Sequence, residues 1–325
     1  MPAFILRRLA QTLLVLLVTS ALVFGGLYLV GNPVEILVNP AADEIEKARA
    51  AAALGLDRPV LEQYWIFLKG AASGDLGRSF VFGRPALEVI LERMPATLEL
   101  AFLAMVMSVG IGIPLGLYAG LYPDRFSSKA IMAGSILGFS LPTFWVGLLL
   151  IMLFAVQLGW LPSTGRGPTE EVLGIQISIL NIAGLRYALL PSLNLALFKL
   201  SLIIRLTRAQ VREQVLLDYI RFARAKGLPR ARVIGVHLLK NIMIPLVTVI
   251  GLELGSVIAF AIVTESIFAW PGMGKLVIDS MFQLDRPVVV AYLLVVVLMF
   301  TLINLAVDIL YAALDPRVRL DGSRA

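Results

Sequence analysis

Long apolar stretches alternate with shorter polar ones along the whole chain, a pattern that predicts helices crossing a membrane. Six of the apolar stretches are long enough to span roughly 30 Å of hydrocarbon in helical form. They lie near Leu9–Val30, Thr97–Gly120, Ile131–Gln157, Tyr187–Thr207, Ile244–Glu265 and Val288–Tyr311. The predicted fold class is therefore an all-α polytopic membrane protein with six transmembrane helices.

The first apolar stretch follows Arg7 and Arg8, as the apolar part of a secretion signal would. It is longer than the apolar part of such a signal, and no small-x-small cleavage site closes it. We therefore predict an uncleaved first transmembrane helix.

The polar segments divide the chain into predicted parts. These are a cytoplasmic N-terminus with the first helix (1–30), an exoplasmic subdomain (31–96), a five-helix core (97–311) and a cytoplasmic tail (312–325). In the subdomain, the run Pro40–Leu54 of Ala, Glu, Lys and Arg is typical of a soluble helix. In the core, residues 208–243 are predicted to form a cytoplasmic loop.

Lys and Arg residues concentrate on one side of the predicted helices, and this bias sets their orientation. Seventeen lie in the N-terminus, the loop after the second span, Lys199–Lys240 and the tail, and ten of these belong to Lys199–Lys240. Both termini are therefore predicted to be cytoplasmic. Lys199–Lys240 carries a net charge of +8, ten basic residues against Glu213 and Asp218, which exceeds the +6 of the whole chain. The basic excess is local, and nucleic acid is not an expected partner.

Composition supports a membrane protein and removes several kinds of chemistry. Hydrophobic residues make up 59% of the chain and the mean hydropathy is +0.88, more apolar surface than a soluble domain buries. The absence of Cys excludes disulfides, thiolate metal sites and cysteine nucleophiles, and the single His237 excludes a His-rich metal centre. No phosphate-binding loop is present, so any ATP that powers transport must be hydrolysed by another chain.

Glycine and proline positions indicate how the helices pack. Three sets of glycines have the small-x-x-x-small spacing that lets helices approach closely: Gly112, Gly116 and Gly120; Gly134 and Gly138; Gly251 and Gly255. Four prolines fall inside or at the start of spans: Pro114, Pro142, Pro191 and Pro245. Kinks at these prolines suit a transport pathway, and simple tolerance of proline in membrane helices accounts for them equally well.

The segment Arg212–Pro245 has more structure than an ordinary basic loop. Leu216, Tyr219, Ile220 and Ala223 recur at i, i+3, i+4 and i+7, which predicts a helix with one apolar face opposite an Arg-rich face. Gly227-Leu228-Pro229 then ends this helix, because Gly adopts the left-handed conformation at a helix C-terminus and Pro prevents continuation. A second basic run, Arg230–Lys240, leads into the fifth span. The sequence predicts a helix–turn–helix excursion on the cytoplasmic face.

This segment resembles the EAA loop in the inner-membrane permease subunits of binding-protein-dependent ABC importers. Ala223-Arg224-Ala225-Lys226-Gly227 carries the resemblance, in the form typical of the dipeptide, oligopeptide and nickel branch. Pro245 falls where that branch has a Pro entering the next helix. Arg221 stands where the general consensus has Glu, and the Gly-to-Pro spacing of eighteen is longer than in most importers. Both departures fit this branch.

Other motifs of the same branch follow in order along nearly the whole chain. They are Gly31-Asn32-Pro33-Val34-Glu35, Leu54-Gly55-Leu56-Asp57-Arg58-Pro59, Gly74-Asp75-Leu76-Gly77 with Ser79-Phe80, Arg93-Met94-Pro95-Ala96-Thr97-Leu98-Glu99-Leu100, Ser140-Leu141-Pro142 with Phe144-Trp145, Leu158-Gly159-Trp160-Leu161-Pro162, Glu265 with Trp270-Pro271-Gly272 and Gly274, and Asp308 with Leu314-Asp315-Pro316-Arg317. The long segment after the first helix is similar to that of the first of the two permeases in such systems.

The resemblance implies a type I ABC importer permease fold in the bacterial plasma (inner) membrane. It implies assembly with a second homologous permease, two cytoplasmic ATPases that bind ATP and Mg, and an exoplasmic substrate-binding protein. This chain would work by alternating access, bind no cofactor and catalyse no reaction itself. Its ATPase-coupling loop would comprise Asp218, Tyr219, Arg221, Ala223, Arg224, Ala225, Lys226, Gly227 and Leu228. Candidate pathway or gate residues are Glu253, Pro142 and Phe144.

A secondary transporter is the main alternative. Glu253, near the middle of the fifth span, favours it because intramembrane acids often carry protons. The absence of an evident internal repeat counts against it. A membrane-embedded enzyme lacks a convergent acid pair, and a channel lacks anything resembling a filter. The substrate stays open among dipeptides, oligopeptides, glutathione, sugars and nickel.

Overall fold

A computed structural model describes the backbone of residues 2–30, 43–53 and 55–314, and the side chains of 10–26, 43–53 and 55–310. In these ranges the chain is mostly helical. Its elements in order are α1 (Pro2–Val30), α2 (Glu44–Ala53), α3 (Val60–Ala72), α4 (Ala86–Leu121), α5 (Phe126–Ser140), α6 (Thr143–Leu150), β1 (Glu170–Val172), β2 (Ile175–Ile177), α7 (Ile182–Gln214), α8 (Asp218–Ala225), α9 (Arg230–Arg232), α10 (Leu239–Ile267), α11 (Met273–Phe282) and α12 (Arg286–Leu314). Two π-helical segments, Ile151–Gln157 and Val233–Leu238, extend α6 and join α9 to α10.

Most predicted spans correspond to long helices. The second, fourth and fifth predicted spans lie within helical stretches that are long and apolar enough to cross a membrane: Ala86–Leu121, Ile182–Gln214 and Arg230–Ile267. The sixth lies in the stretch Arg286–Leu310 except for its last residue, Tyr311, which belongs to α12. The first predicted span lies within α1, whose described side chains form the shorter apolar helix Ala10–Gly26. Among the described residues there are thus four such helices, or five with the bent pair at the third span.

The predicted third span is not one continuous helix. α5 and the stretch Thr143–Gln157 meet at an angle of 106°. Leu141 and Pro142 are both extended at the junction, with ψ angles of 136° and 131°. A proline disfavours the helical conformation of the residue before it and lacks an amide hydrogen, so the helix ends there. Pro191 and Pro245, by contrast, lie inside α7 and α10.

A small hairpin departs from the all-α prediction. β1 and β2 pair antiparallel, with Glu170 opposite Ile177 and Val172 opposite Ile175. The two turn residues, Leu173 and Gly174, have φ angles of 52° and 80°. Positive φ at both central residues is the backbone of the type I′ turn that suits two-residue hairpins.

The described residues among 1–97, together with 271–301, form one compact unit. Within it α1 packs against α3, where Tyr64 OH lies 2.9 Å from Ser20 Oγ. Asp285 is fully buried and accepts hydrogen bonds from the Ser79 hydroxyl and from the Phe80 amide, the latter at 3.1 Å. This carboxylate holds the loop after α3, part of the predicted exoplasmic subdomain, against the start of α12.

Some sequence predictions for the ends and for the subdomain lie outside the described residues. The motif at 31–35 and the tail motif at 315–317 are among these. The predicted soluble helix over Pro40–Leu54 contains α2, which occupies Glu44–Ala53.

Residues 98–270 and, as far as the structure describes them, the residues from 302 to 314 form the second unit. Its α4 and α7 approach closely along Gly112, Gly116 and Gly120. A Cβ at Gly116 would lie 2.6 Å from Thr207 Cβ, and Gly112 and Gly120 face Ile203 and Val211 as tightly. The small-x-x-x-small prediction therefore holds for this face. Nothing within 4 Å meets a Cβ at Gly134, so the second predicted face makes no such contact within the described chain.

Candidate functional site

The predicted cytoplasmic excursion contains the short helix α8. Its first turn carries Asp218, whose charge is favourable at a helix N-terminus. Leu217 is extended, with φ −75° and ψ 152°, so the helix begins one residue later. Leu216, predicted to belong to the apolar face of the helix, therefore precedes it and is 66% exposed. The helix is shorter at its N-terminal end than the periodicity predicts.

Gly227 ends α8 in a Schellman motif. Its φ is +73°, and its amide donates to the Arg224 carbonyl at 2.9 Å, while the Leu228 amide donates to the Ala223 carbonyl at 3.3 Å. These are the two hydrogen bonds that define the motif, and they need a left-handed residue at the position of Gly227. The predicted turn is therefore present. Pro229 is extended and directs the chain into α9.

The apolar face of α8 anchors it to the ends of longer helices. Ile220 and Ala223 are buried in one cluster with residues of α7, the π-helical segment and α10: Val211, Val233, Leu238, Ile242 and Leu246. Leu117 and Leu121 at the end of α4 pack against the same cluster. Burying a side chain such as Ile220 contributes about 1.5–3 kcal/mol. α8 is therefore packed directly against the ends of α4, α7 and α10.

The opposite face of α8 is exposed, basic and partly apolar. Arg221, Arg224 and Lys226 are exposed, and Phe222 is 62% exposed. Lys226 Nζ lies 4.5 Å from the centroid of the Phe222 ring. Asp218 is 3.6 Å from Arg221, an exposed pair that contributes little energy. Ala225 is also exposed. This face of α8 therefore presents basic side chains around the Phe222 ring. Tyr219 and Leu228 are half-buried and pack against the apolar cluster on the other face.

Glu253, predicted as a pathway residue, has a basic partner that sequence reasoning missed. The Lys199 ammonium donates to Glu253 Oε2 at 2.5 Å and to Ser256 Oγ at 2.6 Å. Ser256 Oγ lies 2.8 Å from the same Glu253 oxygen. The Lys199 side chain is 10% exposed and that of Glu253 is 23% exposed. The carboxylate is therefore paired within the chain and still partly accessible.

Lys199 was counted with the cytoplasmic basic residues of Lys199–Lys240, although it also falls within the predicted fourth span, Tyr187–Thr207. It lies near the middle of α7, well before the helix ends at Gln214. Arg205 also belongs to α7, and α8 lies between the end of that helix at Gln214 and the start of α9 at Arg230. Charge counting cannot distinguish a base at a helix end from a base that is paired with an acid of another helix. An acid near the middle of another span was the only sequence signal for a partner of Lys199.

Pro142 and Phe144 lie at the break of the third span. Phe144 is exposed, as are the residues around it from Phe139 to Trp145. Among the described residues, no hydrogen bond or ring contact joins Pro142 or Phe144 to Glu253. The sequence-predicted residues therefore lie in three separate places: in and around α8, at the Lys199–Glu253 ion pair, and at the junction between α5 and α6.

A second buried ion pair was also missed by sequence reasoning. Arg166 contacts Glu99, and Glu99 also accepts hydrogen bonds from the Ser178 amide, at 3.1 Å, and from the Ser178 hydroxyl. Glu99 belongs to one of the motifs that carry the family resemblance, but the motif alone assigned it no partner. These contacts tie the strand hairpin to α4.

Comparison with known families matches most of the chain. Residues 112–320 match the family model of the binding-protein-dependent transport system inner membrane component. Residues 1–101 match the N-terminal model of the binding-protein-dependent transport system membrane component.

Individual proteins are similar over nearly their full length. The dipeptide transport system permease protein DppB of Escherichia coli K12 is 38% identical, covering 98% of this chain and 99% of its own. The di/tripeptide transport system permease protein DppB of Pseudomonas aeruginosa UCBPP-PA14 is also 38% identical with the same coverage. The glutathione transport system permease protein GsiC of Escherichia coli CFT073 is 37% identical, covering 97% and 98%.

A solved structure has a similar fold. The MetNI methionine ABC transporter in an inward-facing conformation matches with a TM-score of 0.53 over 70% of this chain and 96% of the other. At 17% identity, this likeness bears on the fold alone.

Proposed function

Because the chain belongs to the family of binding-protein-dependent transport system inner membrane components and is a permease subunit of an ABC importer, we propose that it carries short peptides or a similar small solute. The named substrates of its relatives, dipeptides, di/tripeptides and glutathione, support this substrate class. All are small molecules with free charged groups. The family match favours the ABC importer permease over the alternative of a secondary transporter.

The coupling step is the part of this function that rests on the chain's own geometry. ATP-driven closure of two cytoplasmic ATPases would push on α8, whose exposed face offers Arg221, Phe222, Arg224 and Lys226 to a partner. Because Ile220 and Ala223 are buried against the ends of α4, α7 and α10, the push would move these helices together. The single observation that supports this coupling step is the structure of α8, which is anchored by its buried face and ended by the turn at Gly227.

The arrangement in the membrane follows as a proposal. Six spans would place both termini in the cytoplasm, residues 31–96 outside as a subdomain, and the tail 312–325 inside. The core of residues 97–311, with its coupling loop 208–243, would line the pathway together with a second homologous permease and contact membrane lipid. An exoplasmic binding protein would deliver the substrate. ATP and Mg would bind to the ATPases, and this chain would hold no cofactor.

Gly227→Val tests the coupling step. Valine resists a φ of +73°, so the end of α8 must change while the spans still insert. We expect a complex that loses its ATPases or the stimulation of ATP hydrolysis by the loaded binding protein. The measurement is subunit retention and stimulated ATP turnover in reconstituted complexes.

Gly235→Val is the matched control. Nothing lies within 4 Å of a Cβ at either glycine, and Gly235 lacks the positive φ of Gly227. The two variants therefore add the same side chain in open space and differ in backbone conformation. Full stimulation and uptake by the Gly227→Val complex would contradict a role for α8 in coupling.

Two single-cysteine variants test the orientation, since the chain has no Cys of its own. Lys47→Cys should react with an impermeant thiol reagent added outside sealed cells. Arg230→Cys should react only after the inner face is opened. Equal labelling of both in sealed cells would contradict the six-span arrangement.

A further inference from the structure

The second unit contains a charged cluster, formed by Lys199, Glu253 and Ser256. Lipid would solvate these charges poorly. Lys199 and Glu253 sit near the middle of α7 and α10, and Ser256 is one turn from Glu253. A charge at the centre of a bilayer is costly, so such residues face a partner, the interior or water. The pair satisfies both charges within the chain. The 23% exposure of the Glu253 side chain shows that the chain does not close over it.

The break of the third span gives independent evidence about the same face. Its extended residues, Leu141 and Pro142, and their neighbours from Phe139 to Trp145 are exposed in the single chain. Irregular backbone at membrane depth occurs only where other protein covers it or where it lines an aqueous cavity. This face therefore meets a partner or water.

Ring contacts connect the break to the charged cluster. Phe139 stacks on Phe198 with 4.6 Å between ring centroids, and Lys199 Nζ lies 5.3 Å from the centroid of Phe198. Arg205 lies over the other ring, 4.8 Å from the centroid of Phe139. The cluster and the break thus belong to one continuous surface, which carries two aromatic rings and charges of both signs.

We propose that Lys199, Glu253 and Ser256 form a subsite of the translocation pathway that binds the charged termini of a zwitterionic substrate. The inference rests on the proposed function, and it adds where in this chain the substrate is recognised. The substrate ammonium would pair with Glu253 and the substrate carboxylate with Lys199. Ser256 would supply a hydroxyl that serves either partner.

The exchange of partners explains how such a pair suits transport. Before the substrate arrives, the two charges neutralise each other. When the substrate binds, each charge gains a new partner as it leaves the old one, so no charge is left unpaired in a poorly solvated site. A peptide with a blocked terminus cannot complete this exchange and leaves Lys199 or Glu253 alone. The subsite therefore selects for molecules with both charges.

A neutral double variant tests this selection. Lys199→Met with Glu253→Gln removes both charges at similar volume, a change that buried ion pairs often tolerate. ATP-driven uptake of Ala-Ala, acetyl-Ala-Ala and Ala-Ala-amide is measured in proteoliposomes with saturating binding protein. For each complex, the uptake of Ala-Ala is divided by the uptake of each blocked peptide. This selectivity ratio of the variant is then divided by that of the parent. The preference of the binding protein cancels, because the same binding protein serves both complexes. We expect this ratio to fall about tenfold, the effect of losing one charge-assisted contact.

Lys275→Met with Asp279→Asn provides the matched control. This pair joins an ammonium and a carboxylate at 2.6 Å on the exposed side of α11, and its removal should leave the uptake ratio unchanged. An unchanged ratio in the Lys199/Glu253 variant would overturn the inference. Absence of ATP-driven uptake by the parental complex would instead overturn the proposed function.

A second measurement covers the case in which the double variant fails to assemble. Ser256→Cys places one thiol in a chain that has no other, and a water-soluble methanethiosulfonate reagent modifies it only where water reaches it. We expect modification in one nucleotide state, slowed by Ala-Ala-loaded binding protein during turnover. A Ser256→Cys complex that transports but stays unmodified in every nucleotide state would overturn the inference.

Discussion

Glu99 and Glu253 are two acids of the same unit with basic partners, and their surroundings differ. The Glu99 side chain is 5% exposed and uses both oxygens: Oε1 contacts Arg166 and the Ser178 amide, and Oε2 accepts from the Ser178 hydroxyl. Glu253 is more exposed, and both Lys199 and Ser256 contact its Oε2. A saturated carboxylate fixes structure, whereas one with accessible surface retains the capacity to bind something else.

The largest effect on stability should come from Glu99→Ala. It leaves the Arg166 charge without its carboxylate and the buried Ser178 groups without their acceptor, a loss of about 3–5 kcal/mol. The measurement is thermal unfolding of the purified chain or the yield of assembled complex. Glu92→Ala on the same helix is the control, because its pair with Arg84 is exposed and worth about 0–1 kcal/mol. Equal effects of the two variants would remove the structural role of Glu99.

Glu253→Gln should affect transport more than stability, in contrast to Glu99→Ala, whose main effect is on stability. The amide keeps the shape and can still accept from Lys199. The loss of stability should therefore be about 1–3 kcal/mol, and the yield of assembled complex should fall less than in Glu99→Ala. Transport should fall further than assembly, because the amide cannot balance a substrate ammonium. Uptake and complex yield are compared across a range of pH. Parental uptake at every pH would make Glu253 a packing residue like Glu99.

Exchanging the basic partners sharpens the same contrast. Arg166 Nη2 donates to two acceptors, Glu99 and the Gln176 carbonyl, and the shorter side chain of a lysine does not bring its ammonium to the position of Nη2. Arg166→Lys should cost about 1–2 kcal/mol of stability. Lys199→Arg keeps a charge beside Glu253, so its complex yield should stay near the parental value while uptake changes. Thermal unfolding and uptake are measured on both variants, and a stability loss confined to Lys199→Arg would invert the comparison.

The smallest effects should come from the two serines. Ser178 is fully buried, and Ser178→Ala leaves Glu99 Oε2 short of a donor, at about 1 kcal/mol. Ser256→Ala should cost less, because Lys199 continues to donate to Glu253. Paired melting curves of the two variants decide the point. A larger loss for Ser256→Ala would mean that the Glu253 cluster is the more rigid of the two.

Features that depend on neighbouring residues could be predicted from the sequence. Apolar runs predicted the long helices, and Gly227-Leu228-Pro229 predicted the turn that the structure shows with φ +73°. Gly112, Gly116 and Gly120 predicted a close helix contact, because a missing side chain marks the place where another helix fits. Local chemistry determines each of these features.

Features that depend on distant residues could not be predicted. Lys199 and Glu253 meet across 54 positions, and no periodicity relates them. The bend of 106° at Leu141 was also missed, since Pro191 and Pro245 sit within helices and sequence alone does not separate the two outcomes. The start of α8, which follows the extended residue Leu217, was set by backbone geometry that periodicity does not report.

The broken third span also bears on how the protein is made. α5 has 15 residues, about 22 Å of helix at about 1.5 Å per residue, too short to cross the bilayer alone. The half that follows the break is similar in length. Neither half is long enough alone, so the two halves have to act as one apolar segment if they are to cross the hydrocarbon. α5 packs against α7, which is synthesised later, so the contacts that surround the bend at Leu141 are complete only after α7 has been made.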